Sequence, residues 1–350
     1  MGRWIGVATA SMTLSLGFSP LAAQPQPFQF AAIGDIGYSK KSEDEFTRMI
    51  AAMNLQPLAF VVHIGDFQAD PRPYNANPDR VSMPCTDDSL KKVLGQFQAS
   101  AHPFFLTPGD NDWADCHLLK AIKVDPLEQL AKVRSLLFPE GRSLGQRTLA
   151  VTSHAQQPAF SKFRGNLAWT HNDVSSMTMH ITGSNDNKGR TPEMDAEANE
   201  RTQANLAWMK NAFTQAKTRN SHGLVLIMQA NSGFETHWTT SLKDRYFRLF
   251  PGVTPPKESP PSGFDDILNA VEAEMQAYDK PVLFIHGDTH IFHISKPLVS
   301  KKTRRFVDNF TRLEVFGDPD SHWVKVSVDP ANPALFVIEP QIVPENSAGR

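Results

Sequence analysis

Four carboxylates in this chain share one setting. Each belongs to a Gly-Asp pair that follows an apolar run. Gly34-Asp35 follows Phe28–Ile33, Gly65-Asp66 follows Ala59–Ile64, Gly109-Asp110 follows Phe104–Thr107, and Gly287-Asp288 comes just after Pro281–Ile285. One such pair alone reads as a turn or a helix N-cap. Four in the same position read differently. Short apolar runs bounded by turn residues are buried strands, and in layered α/β folds sites collect beyond the carboxyl ends of the strands. Glycine permits the sharp exit from the strand, and the aspartate points into the crevice. Carboxylates crowded there repel, and their pKa values rise until some are neutral. A divalent cation removes the repulsion and uses the charge. The predicted chemistry is therefore divalent-metal binding.

The elements that position these corners alternate along the chain. A helix is expected over Glu43–Asn54, with Ser42 as N-cap and Phe46, Met49, Ile50 and Met53 on one face. Further helices are expected over Leu90–Phe97, over Pro126–Phe138 with Asp125 as cap, over Asp195–Lys217 with Leu206, Met209 and Phe213 inward, and over Phe264–Tyr278. Asn166–Asn172 and Met177–Thr182 read as paired strands, and Leu224–Met228 as a buried one. His290–Ile294 starts another, and Val324–Val328 and Ala334–Ile338 close the chain. Pro255-Pro256 and Pro260-Pro261 mark a loop over 251–261. Apolar strands alternating with helices give a layered α/β fold.

The order and strand contexts of the four corners resemble the calcineurin-like metallophosphoesterases, which include the purple acid phosphatases. The resemblance spans roughly 28–338. It implies an α/β fold, a four-layer α-β-β-α sandwich, and one or two divalent ions held by a fixed motif series. Asp35, in Gly34-Asp35-Ile36-Gly37, would be a terminal ligand of the first ion, and Asp66 would bridge. Gly109-Asp110-Asn111-Asp112 stands where the family has Gly-Asn-His-Asp. Asp110 then takes the place of the Asn ligand, and Asn111 that of the histidine that protonates the leaving group. Gln229 falls where a lone histidine ligand belongs. Gly287-Asp288-Thr289-His290 stands for Gly-His-x-His, which keeps His290 and puts Asp288 in place of the other imidazole. The expected metal ligands are thus Asp35, Asp66, Asp110, Gln229, Asp288 and His290. Asn111 and His117 are the candidate catalytic residues, with His286 and His293 also near the motifs. The ligand at the Gly37 position is gone, and Ala69 stands where purple acid phosphatases have a tyrosine. Oxygen donors replace nitrogen at several places, so manganese, magnesium or calcium is expected ahead of zinc or iron. The implied substrate is a phosphate ester, small or polymeric. A catalytically silent relative that kept the fold as a binding protein is the alternative. Trp113 is read either as a stacking surface for substrate or as packing over the loop. Asn185 and Asn187, after a strand, are read either as phosphate contacts or as a polar turn, the turn preferred, and Asn231 could supply a carbonyl ligand if Gln229 does not.

Composition bounds the rest. Of 350 residues, 40% are hydrophobic and 21% charged, which supports one full core, expected over 28–340. The formal net charge of -2 gives no basic stripe of the kind a nucleic-acid binder shows. Lys301, Lys302, Arg304 and Arg305 form a local basic cluster, read as a solvated loop. Arg3, the apolar run from Trp4 to Phe18 and the small residues ending at Ala23 read as a signal peptide over 1–23, placing the mature chain in the periplasm or outside the cell. No later run is long and apolar enough to span a bilayer. In an oxidising compartment Cys85 and Cys116 read most simply as a disulfide, the alternative being two buried thiols.

Overall fold

The computed structural model describes residues 1–2, 26–78, 83–234 and 262–347. The signal-peptide reading and the 251–261 proline loop therefore lie outside the described residues, apart from Met1 and Gly2.

Two sheets form the centre. The five-stranded sheet runs β12 (Phe336–Gln341), β11 (Trp323–Val328), β1 (Phe28–Ile33), β2 (Val61–His63), β3 (Phe104–Leu106). The seven-stranded sheet runs β4 (Thr152–Ser153), β5 (Leu167–His171), β6 (Val174–Thr178), β7 (Gly223–Ile227), β8 (Val282–His286), β10 (Phe310–Glu314), β9 (His293–Ser295). Within the first sheet β1, β2 and β3 are parallel, and within the second β6, β7, β8 and β10 are parallel.

Strand alternation shows how the layers stack. Val225, Ile227, Leu283 and Ile285 join the core between the sheets, while Leu224, Leu226, Val282 and Phe284 pack outward. Both faces are buried, which is why these strands read as unbroken apolar runs. Outside the second sheet lie α5 (Pro192–Thr218) and α6 (Asp265–Met275), which bury Trp208, Met209, Phe213, Ile267 and Leu268 in the outer cluster. In the first sheet Phe105 stacks on Trp169 of the other sheet, ring centroids 3.7 Å apart. Its neighbour Phe104 stacks instead on Phe97 of α3 (Asp87–Gln98) at 4.7 Å. That helix, α1 (Lys40–Asn54) and α4 (Pro126–Leu137) bury Phe46, Met49, Val93 and Val133 in the same core. The short helices α2 (Pro71–Ala76) and α7 (Pro344–Ser347) lie in connecting and terminal segments. The expected α-β-β-α sandwich is the observed fold.

Local details differ from expectation. The first helix begins three residues early. Ser39, not Ser42, is its cap and accepts from the Ser42 amide, while Ser42 Oγ accepts from Gly37 N at 2.9 Å. Asp125 does cap α4. The hairpin strands β5 and β6 sit at 167–171 and 174–178, not 166–172 and 177–182. Strand β10 has no counterpart in the sequence reading. It carries Arg312 and Glu314, both buried, so no apolar run marks it. Cys85 and Cys116 are joined in a disulfide, Cα atoms 5.8 Å apart, and neither is a free thiol.

Candidate metal centre

Parallel strands release their carboxyl ends at one edge, and the corners meet there. Backbone and side-chain bonds tie the two sheets together at this edge. Asp288 N donates to Asp35 Oδ2 at 2.9 Å, and Gln229 Nε2 to Asp66 Oδ2 at 3.2 Å. Asp35, Asp66 and Asp288 have left-handed backbones, with φ of 50°, 52° and 83°. Such conformations persist in a fold only where the surroundings enforce them, and they cluster at working sites. The glycines serve two purposes. Gly65 has φ 108° and makes the turn. Gly109 and Gly287 have no such φ; a Cβ on Gly109 would overlap the Asp66 carboxylate, and one on Gly287 would overlap that of Asp35. Glycine there makes room for the neighbouring acid.

Asp66, Asp110 and Asp288 each offer an oxygen, and the three lie within 4.8 Å of one another. Asp35, Asp66 and Asp110 are buried. Burial, reinforced by the charges of the neighbouring acids, raises the pKa of all four, and that of Asp288 reaches about 7. Asp35 Oδ1 is buried and accepts no hydrogen bond. Close-set oxygens, destabilised anions and an orphaned acceptor are what a hard divalent cation satisfies, so the donor set fits one. Asp112 is held apart from this group as a clamp: its carboxylate accepts from the amides of Gly109, Asp66 and Phe67 at 2.7, 3.0 and 2.9 Å.

The other predicted site residues fall in different places. His290 sits beside Asp35; a Cβ on Gly317 would lie 2.7 Å from both Asp35 Cβ and His290 Cγ. Its Nδ1 donates to the Asp318 carbonyl at 2.6 Å. A carbonyl only accepts, so Nδ1 carries the proton and Nε2 keeps its lone pair, as a ligand requires. Gln229 reaches the carboxylates, but with its amide nitrogen, donating to Asp66 and, at 3.4 Å, to Asp288; its oxygen accepts from Gly183 N at 2.6 Å. Asn231 meets Asp288 through its backbone amide at 2.9 Å. Asn111 is buried, and its amide N–H donates to Asp66 Oδ1 at 3.1 Å. His117 is exposed, with Nδ1 on the Ala114 carbonyl at 2.9 Å and Arg190 beside it, and no hydrogen bond joins it to the carboxylates. Buried His63 and His286 are pushed down to about 3 by desolvation, hence neutral. His63 accepts from Gly65 N, so it braces the second corner. Arg312 holds His293 at 2.9 Å. Trp113 is fully buried under the Arg201 guanidinium, which settles it as packing. Tyr38 donates weakly to Asp66 Oδ2 at 3.4 Å and lies edge-on to His290.

The structure also brings in residues that the sequence reading left out. A fifth corner, Gly317-Asp318, follows β10, and its amide donates to Asp35 O at 2.7 Å. The Gly-Asp pattern itself was the available signal. After β6 the chain makes a left-handed turn: Ser184, Asn185, Asp186 and Asn187 have φ of 52°, 59°, 54° and 61°. The left-handed region costs an L-residue about 1–2 kcal/mol, less for Asn and Asp, so Ser184 bears the heaviest strain. A buried pair of Asp186 with Arg201 holds the turn, and Arg201 also donates to the carbonyls of His180 and Asp186 at 3.2 and 3.0 Å. Ser184 Oγ donates to Asp110 Oδ2 at 2.6 Å. Nothing in the helical pattern of 192–218 points to Arg201. A separate cavity of about 570 Å³ lies between the outer face of the seven-stranded sheet and α5; none of the carboxylates lines it.

No model of a known protein family matches the sequence, and no curated protein matches it. Among solved structures the fold is similar to that described as the structure of PhoD, with TM-score 0.51 and 14% identity over 92% of this chain and 70% of that one. It is also similar to a dimetal phosphatase from Danio rerio, with TM-score 0.50 and 10% identity over 90% of this chain and 96% of that one. At these identities the likeness shows a shared fold.

Proposed function

We propose that this chain, which shares its fold with PhoD and a dimetal phosphatase, is an exported, metal-dependent phosphoesterase. The observation that carries the reading is the meeting of Asp66, Asp110 and Asp288 within 4.8 Å beside a buried Asp35 oxygen that has no donor. Asp35, Asp66, Asp110, Asp288 and His290 would hold one or two divalent ions. The oxygen-rich set favours manganese, magnesium or calcium over zinc or iron. The chemistry such an ion supplies is Lewis acidity toward phosphoryl oxygens and acidification of water.

The chain's own residues fix the geometry. Gln229 spans Asp66 and Asp288, Asn231 N orients Asp288, and the Asp318 carbonyl sets the His290 tautomer. Asn111 cannot titrate, and His117 is engaged elsewhere. Among the described residues His290 is the imidazole at the carboxylate edge, and its role is that of a ligand. Among the described residues no imidazole is left to donate to the leaving oxygen. Esters of acidic alcohols, such as aryl phosphates, are the expected good substrates. The signal-peptide reading of 1–23 and the Cys85–Cys116 disulfide support a periplasmic or secreted location.

The test is plasma mass spectrometry of dialysed protein together with assays on an aryl phosphate monoester and diester across added metals. Metal content of one or two ions with hydrolysis of either ester is the expected result. If neither ester is cleaved with any metal while Asp66→Asn folds normally, the chain is a binding protein on the same fold. Stoichiometric zinc without manganese, magnesium or calcium sinks the metal preference.

A further inference from the structure

We infer that Ser184 is a substrate-contacting residue, its hydroxyl donating to a non-bridging phosphoryl oxygen of the ester held at the Asp66, Asp110 and Asp288 group. The inference rests on the phosphoesterase reading. Its first support is position. The backbone of Gly183 lies against the cluster, where a Cβ would stand 2.8 Å from Asp288 Oδ1 and 2.9 Å from Asp110 Oδ2. The next residue, Ser184, is exposed, whereas Asp35, Asp66 and Asp110 are buried. The turn therefore forms the solvent side of the group, where a ligand must arrive.

Its second support is rigidity. The hydroxyl is placed by a left-handed run anchored from beneath. Asp186 and Arg201 are paired with side chains 1% and 0% exposed, and Thr182 N donates to Asp186 Oδ1 at 3.3 Å. Gly263 N, from the segment packed alongside, donates to Asn185 Oδ1 at 2.7 Å. Working groups are held to this kind of tolerance by buried partners.

Its third support is the supply of donors. Non-bridging phosphoryl oxygens only accept hydrogen bonds. Among the described residues the amide nitrogen of Gln229 is shared between Asp66 and Asp288, and His117 Nδ1 is bound to the Ala114 carbonyl; the rotatable hydroxyls at the carboxylates are those of Tyr38, half-buried and on Asp66 at 3.4 Å, and Ser184, the exposed one. Ser184 has a hydroxyl that can rotate, now resting on Asp110 at 2.6 Å. With Asp110 neutralised by a cation, that hydrogen is free to turn to the substrate.

The test is titration calorimetry of manganese-loaded protein with inorganic phosphate, for wild type, Ser184→Ala and Ser184→Gly. Metal content and unfolding temperature are measured alongside. Both variants lack the hydroxyl, but only glycine takes the left-handed backbone without strain, so agreement between them isolates the hydroxyl. The expected result is phosphate binding weaker by about tenfold or more in both, with manganese content unchanged and KM for an aryl phosphate raised in step. Unchanged phosphate affinity in the variants overturns the inference. So does loss of manganese, which would make Ser184 a support for Asp110 only, and so does a wild type that binds no phosphate. A wild type that binds phosphate but cleaves no ester would refute the phosphoesterase reading, and the phosphate comparison would still decide Ser184.

Discussion

The two sides of the centre are built differently. On the carboxylate side, Asp66, Asp110 and Asp288 come within 4.8 Å and are wired by Asn111 N, Ser184 Oγ, Gln229 Nε2 and Asn231 N. On the imidazole side, Asp35 and His290 stand next to each other but outside that group, and Gly37 offers no side chain where the resemblance calls for a ligand. The difference teaches that negative charge, not imidazole, organises this site. A cation should bind first and tightest among the three carboxylates, with Asp66 shared between the sides.

The largest effect should come from Asp66→Asn. If Asp66 is the shared acid of the proposed centre, its loss would remove Lewis acidity worth several kcal/mol, and kcat/KM on an aryl phosphate should fall on the order of 10³-fold. The same change should raise the unfolding temperature in chelator, because Asp66 is a buried acid among like charges. A variant that keeps both activity and metal breaks the idea of a shared bridging acid. The next effect sharpens the asymmetry. His290→Ala should cost about 10²-fold or less and leave one ion per chain, a loss in the range seen when a supporting metal contact is removed. Asp288→Asn should instead lower the metal content below one. If His290→Ala empties the protein of metal, the ranking of the two sides is reversed.

A pH series probes the carboxylate side without catalysis. In the metal-free folded chain Asp288 is pushed up to about 7, against 3.8 as the ordinary value. Between those values the folded chain holds a proton that the unfolded chain has released, so the contribution of Asp288 to stability falls as pH rises. Asp288→Asn is neutral throughout and serves as the reference, cancelling the opposite effect of His63 and His286, whose folded values near 3 cost stability as pH falls. In chelator the variant should melt higher than wild type at pH 8, by roughly 5 °C, and the gap should narrow to less than about half by pH 5. A gap that widens toward acid would show that Asp288 is not raised by its neighbours.

The carboxylate side was also the more legible in sequence. Its acids end strands buried on both faces, and such strands announce themselves as apolar runs. Asp318 was hidden because its strand, β10, buries Arg312 and Glu314 among polar partners: Arg312 bonds Ser295 and His293, and Glu314 accepts from Thr289 N at 3.3 Å. Charges satisfied across strands erase the pattern that marks a strand. The orientation of Gln229 depends on the amide of Gly183, and the anchoring of Ser184 on Arg201. Both are contacts between distant segments that no local spacing encodes. His117 was near a motif in sequence only; the turn Ala114–Leu118 carries it out to solvent.

The smallest effect concerns what keeps the carboxylate side in register. Cys116 lies six residues beyond Asp110, its sulfur 4.0 Å from the Asn111 carbonyl, and Gln68 links Cys85 N to the Asn111 and Asp112 carbonyls. The disulfide therefore braces the loop that presents Asp110, whereas among the described residues His290 is held without a covalent brace, by the Asp318 carbonyl and the edge of Tyr38. Closing a loop of this separation stabilises the fold by about 3–4 kcal/mol in the chain-entropy model. The Cys85→Ser/Cys116→Ser double variant should melt lower by roughly 5–10 °C. Asp112 still clamps Gly109, Asp66 and Phe67 in that variant, so metal content should hold and kcat/KM should fall by less than about tenfold. Loss of the cation on removing the disulfide would mean that the covalent brace, and not the Asp112 clamp, sets the spacing of Asp66 and Asp110.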